Sequence, residues 1–102
     1  MFPQVGISKN LAQKALVTLV IEQTILELDG TSLYDKLVEI LFKKHKANVP
    51  DCYEHPEYLN EALKEMFGDA YEPVIEKIKK ELDEFLEDKQ ISNFIVKISV
   101  WR

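Results

Sequence analysis

The residues most able to do chemistry sit together in one short run, Asp51-Cys52-Tyr53-Glu54-His55-Pro56-Glu57-Tyr58, which holds the only cysteine and one of the two histidines of the chain. Asp51, Cys52, Glu54, His55 and Glu57 are donors of the kinds that hold zinc, and His45 is near enough in sequence to fold back towards them. The spacing argues against it. There is no CxxC and no HExxH, and a structural zinc site takes four nitrogen or sulfur donors, more than this run supplies. Cys52 and His55 could also act as nucleophile and base, but a reactive thiol needs an electropositive setting. Three acids in the same stretch, Asp51, Glu54 and Glu57, favour the thiol over the thiolate. No serine-triad motif, glycine-rich phosphate loop or dinucleotide fingerprint occurs elsewhere. No catalytic residue, metal or cofactor is therefore expected. The run is read as an interaction or structural motif, a turn in which Cys52 packs as a small apolar group.

That turn needs elements on either side to place it, and the surrounding patterns are helical. Ser8 offers an N-cap, an unbroken pattern runs to Asp29, and Gly30 supplies the left-handed stop. Within this first helix Leu11, Ala12, Ala15, Leu16, Leu19, Val20 and Gln23 form one stripe. Val17, Ile21, Ile25, Leu26 and Leu28 carry apolar surface well beyond it, so the helix either lies centrally or has a second face covered by another subunit. Thr31 and Ser32 offer caps for a second helix with Leu33, Leu37, Ile40 and Leu41 inward. It closes on Lys43-Lys44-His45-Lys46, cations suited to a negative helix end, and finishes at Asn48 and Pro50.

Pro56 suits the first turn of a third helix, where its missing N–H is not needed, and Leu59, Ala62, Leu63 and Met66 recur at i, i+3, i+4 and i+7 before Gly68. Asp69 with Glu72, or Pro73, opens a fourth helix with Tyr71, Val74, Ile75, Ile78, Leu82, Phe85 and Leu86 inward and a Glu76–Lys80 pair outward. Residues Ile91 to Trp101 fit a helix or a strand by period. No partner strand is evident, so a short fifth helix is predicted.

The expected architecture is all-α: a compact orthogonal bundle of four main helices plus a short C-terminal fifth, with residues 1–7 as an N-terminal arm and 8–102 as a single helical domain. The predicted core is Leu16, Leu19, Val20, Leu37, Leu41, Leu59, Leu63, Phe67, Ile75, Ile78, Leu82 and Phe85. A chain of 102 residues with 46% apolar and 30% charged residues can bury such a core. One cysteine and no signal-like opening point to a reducing, cytoplasmic setting. The apolar stretch Leu11 to Leu28 carries Lys14, Glu22 and Glu27, too much charge for a membrane span. The net charge of -5 opposes general binding to phosphate backbones. The lysine runs Lys43 to Lys46 and Lys77 to Lys80 are the one argument for a DNA-associated regulator. Against it stand a connection between helices two and three about twice the length of a helix-turn-helix turn, and a single arginine. The wide apolar surface of helix one, with Trp101, instead points to a protein partner or a homodimer.

The run Asp51-Cys-Tyr-Glu-His-Pro-Glu-Tyr-Leu-Asn60, followed by Leu63-Lys-Glu-Met-Phe-Gly68, Tyr71, Ile75, Ile78, Leu82 and Lys89-Gln-Ile-Ser-Asn-Phe94, resembles a family of small thaumarchaeal proteins, the Nitrosopumilus output domain, type five. The resemblance covers residues 17 to 98. It implies an archaeal, cytoplasmic, mostly helical module that acts as a signalling output element by interacting with something else, with no catalytic residues to carry over.

Overall fold

In the computed structural model, residues 9–85 and 87–100 are described. They form five α-helices: α1 (Lys9–Asp29), α2 (Thr31–His45), α3 (Pro56–Phe67), α4 (Tyr71–Leu82) and α5 (Lys89–Val100). Short 3-10 turns at Val49–Tyr53, Gly68–Ala70 and Asp83–Phe85 join them, and no strand occurs among the described residues. The ambiguous last segment is thus helical. Its Ile91, Phe94 and Ile98 are buried on one side, the period of a helix and not of a strand. The predicted arm, the Ser8 cap, Leu86 and Trp101 lie outside the described residues. No helix among those described is long and apolar enough to cross a membrane.

Local chemistry explains most boundaries. Gly30 takes φ +75, donates its N–H to Leu26 O at 2.8 Å and turns α1 into α2. It is also the N-cap residue of α2, in place of the predicted Thr31 and Ser32, which lie exposed in the first turn of the helix. Lys46, at φ 53, ends α2, letting the N–H groups of Lys46 and Ala47 reach the terminal carbonyls of Phe42 and Leu41. The stop therefore falls before the predicted Asn48 and Pro50. Pro56 occupies the first turn of α3 and Gly68 follows its end, as the sequence requires.

One continuous apolar cluster joins all five helices. Val17, Ile21 and Ile25 of α1 meet Leu37 and Leu41 of α2, Leu59 and Leu63 of α3, Ile78 and Leu82 of α4 and Ile91 of α5, each 0 or 1% exposed. Four positions differ from the predicted core. Leu19 is 48% exposed: α1 presents the Val17–Ile21–Ile25 stripe inward together with Val20, and turns Leu11, Ala12, Ala15, Leu19 and Gln23 of the expected stripe to the surface. Both stripes are apolar, so the sequence pattern of α1 held no preference for either. Phe85 is 36% exposed because α4 ends at Leu82 and the 3-10 turn after it rotates Phe85 away from the line of Ile75, Ile78 and Leu82. Leu16 and Phe67 pack against the cluster without being fully buried. On the wet side of α4, Glu76 pairs with Lys79 at 3.0 Å, one residue short of the predicted i, i+4 partner Lys80.

Candidate functional site

Residues 46–55 connect α2 to α3, and the 3-10 turn in their midst packs against α1, α2 and α3. The alternation Val49, Cys52, Pro56, Leu59, all buried, is what pulls this connection inward. Asp51 holds the turn closed. Its Oδ2 accepts the Asn48 N–H at 2.8 Å, and its own N–H donates to Asn48 O at 2.9 Å. The Asp51 carboxylate is therefore a capping group.

Cys52 is 0% exposed. Burial first, and then the charges of Asp51 and Glu57, push its thiol up to about 12. Five pH units below that value, the thiolate fraction is about one in 10⁵. A nucleophile or soft-metal ligand acts as the thiolate, which this setting disfavours, and the side chain packs within the apolar cluster. No group of three or more His, Cys, Asp and Glu side chains capable of holding a metal ion exists among the described residues.

Tyr53 reaches the other way. Its hydroxyl donates to Gln90 Oε1 at 2.8 Å and lies 3.3 Å from the Oε1 of the buried Gln13, while its ring stacks on Phe94 at 6.2 Å between centroids. Gln13 Nε2 in turn donates to Asp88 Oδ2, and Asp88 Oδ1 caps α5 by accepting the N–H groups of Gln90 and Ile91 at 2.9 and 3.2 Å. One polar chain thus ties α1, the turn and the start of α5 together. Burial raises the Tyr53 hydroxyl above its ordinary value, with the charges of Asp88 and Glu54 adding to it. Glu54 extends the same seam by pairing with Lys14 of α1 at 3.2 Å.

The two histidines meet on Tyr58. His45, at the end of α2, stacks on the Tyr58 ring at 4.0 Å and 11°, and His55 does so at 4.5 Å and 12°. One tyrosine face is too small for two parallel imidazoles at these distances, so the rings alternate His45, Tyr58, His55. Each imidazole also donates to a carboxylate of α3: His45 Nε2 to Glu61 Oε1 at 2.7 Å, and His55 Nδ1 to Glu57 Oε2 at 3.2 Å. The stack closes the end of α2 onto the start of α3. His45 does fold back towards the motif, but onto an aromatic ring and not into a ligand set. Sequence spacing carries no signal for this, since His55 is the N-cap of α3 and not on the helix, and His45 arrives from the end of α2.

Five of the lysines in the two runs likewise have internal partners. Lys43 pairs with Glu39 at 3.1 Å, Lys44 with Glu65 at 2.8 Å, Lys77 with Glu27 at 3.5 Å and Lys79 with Glu76, while Lys46 lies 5.2 Å above the Phe42 ring. The hydrogen bond to Glu65 raises the Lys44 ammonium above its ordinary value.

Among the described residues, the outward apolar face of α1 is a surface with no such internal role. There a concavity of about 380 Å³, floored by Ala15, Thr18 and Leu19 and flanked by Lys14, Glu22 and Pro50, is almost wholly apolar apart from its rim. Sequence reasoning expected a second apolar face on this helix but assigned Leu19 to the core, and so did not place the exposed stripe. The chain matches no family model, no curated protein and no solved structure.

Proposed function

We propose that this chain is a non-catalytic protein-interaction module that self-associates through the outward face of α1 and works as a cytoplasmic output element of an archaeal signalling or regulatory system. The observation that carries the reading is the division of labour in the structure. Asp51, Cys52, Tyr53, Glu54, His55, Pro56, Glu57 and Tyr58 each hold a neighbouring element in place, whereas Leu19, 48% exposed beside Ala15 and Pro50, has a large apolar side chain with no internal task. Apolar surface gathered at a concavity and rimmed by charge is the composition of a protein docking site. The signalling role rests on the resemblance of the Asp51–Asn60 run and its companions to the output-domain family.

Light scattering over a concentration series tests the association. The weight-average mass is expected to rise from one chain towards two as concentration increases, and Leu19→Glu is expected to hold it at one chain with unchanged helicity. A wild-type chain that stays monomeric at high micromolar concentration would overturn the self-associating part of the reading.

A further inference from the structure

The geometry points to a second copy of this chain as the occupant of the α1 face, bound antiparallel, with the two-fold axis passing beside Thr18. This rests on the reading above and adds to it an orientation and a register. Lys14 lies four residues before Thr18 and Glu22 four residues after it, and both border the same concavity. In an antiparallel pair centred on Thr18, position 18 − n of one helix faces 18 + n of the other. Lys14 then meets Glu22 of the second copy, and the symmetry repeats the contact about 12 Å along the axis, at 1.5 Å of rise per residue.

A parallel two-fold pair would set Lys14 against Lys14 and Glu22 against Glu22. The charge pattern therefore selects one orientation and penalises the other. Between the two ion pairs lie Ala15, Thr18 and Leu19. Ala15 is small enough to let the backbones approach, Leu19 supplies the apolar contact, and the Thr18 hydroxyl is already satisfied by donating to Lys14 O at 2.7 Å. Glu22 makes no ion pair with any described residue, so no internal contact has to break for it to reach across. Lys14 is held by Glu54 at 3.2 Å on the Pro50 side, which fixes the ammonium at the rim and keeps it there for a second carboxylate. Antiparallel packing also opposes the two helix dipoles favourably.

Charge exchange in the full chain tests the register, with sedimentation equilibrium as the readout. Lys14→Glu and Glu22→Lys are each expected to weaken the dimer about tenfold or more, by setting like charges together twice. The double exchange Lys14→Glu with Glu22→Lys restores the pairs in reverse and is expected to return the dissociation constant to within about threefold of wild type. A dimer that neither single exchange weakens, or that the double exchange weakens further, overturns this register while leaving self-association standing. A wild-type chain that never dimerises overturns both. Should Lys14→Glu unfold the chain by repelling Glu54, Thr18→Cys in a Cys52→Ala background decides the point. Mild oxidation is expected to give a covalent dimer through position 18, and its absence at concentrations where the dimer is populated overturns the proposal.

Discussion

Replacing Cys52 by alanine distinguishes a sealed packing group from a reactive one, because the two differ in their response to alkali. The side chain is fully buried, so removing its sulfur is expected to cost about 1 to 2 kcal/mol near pH 7 through lost burial and a small cavity. The pH response runs opposite to that cost. The folded thiol titrates at about 12, against about 9 when unfolded, so the folded state retains a proton that the unfolded state gives up between those values. The group's contribution is complete below about pH 9 and is lost as pH rises towards about 12. By pH 10 the loss is about 1 kcal/mol, and by pH 11 about 3 kcal/mol. Tyr34 and Tyr53, whose hydroxyls burial also raises, lose stability over the same range; Tyr53 does so in both proteins and cancels from the difference, and Tyr34 cancels but for the smallest of its causes, the charge of Cys52 itself. Urea unfolding followed by far-UV circular dichroism at a series of pH values should therefore show wild type ahead of Cys52→Ala near neutrality. The gap should close around pH 10, with the variant ahead beyond it. A gap constant across the whole range would mean that the thiolate forms as easily inside the fold as outside. The account of Cys52 as inert would then be wrong.

The remaining expectations concern packing. Ile21→Ala and Leu63→Ala, both at 0% exposure, should each cost about 2 to 5 kcal/mol in urea unfolding, whereas Leu19→Ala should cost less than about 1 kcal/mol in the monomer. Equal costs at positions 19 and 21 would contradict the assigned orientation of α1. Tyr58→Ala removes two ring contacts and should cost about 1 to 3 kcal/mol, while Tyr58→Phe keeps both stacks and should stay within about 0.5 kcal/mol of wild type. A harmless Tyr58→Ala would mean the stack does not hold α2 to α3.

How much of this was legible depended on whether each helix had one apolar face or two. In α3, Leu59, Ala62, Leu63 and Met66 stand opposite Glu61, Lys64 and Glu65, so period alone fixed the inward side, and Pro56 and Gly68 fixed the ends. The same holds for Leu37, Ile40 and Leu41 of α2. The end of α4 was not legible, because Leu82, Phe85 and Leu86 continue the helical period in sequence and nothing local announces the 3-10 turn at Asp83. In the Asp51–Tyr58 run the packing of Cys52 as a small apolar group could be read from its residue type. The stack of His45 and His55 on Tyr58 could not, since it depends on where the end of α2 comes to rest in space.

The misread face of α1 and the proposed dimer have one cause. A helix that serves only its own core has polar residues opposite its apolar stripe, and that contrast is what lets a sequence be read. α1 lacks the contrast over Leu11 to Leu19, so folding had to choose between two stripes of similar apolarity. The choice is settled by shape and by polar anchors at the margins. The inward stripe is β-branched at Val17, Ile21 and Ile25, and it ends on Gln13, which is buried in the polar chain through Tyr53 and Asp88. The outward stripe has alanines where the inward one has bulk, and its charges, Lys14 and Glu22, lie symmetrically about Thr18. Alanines fill a core poorly but let two helices come close. Within one chain Lys14 pairs with Glu54 and lies too far along the helix to meet Glu22, and the two become complementary to each other only when a second α1 runs in the opposite direction.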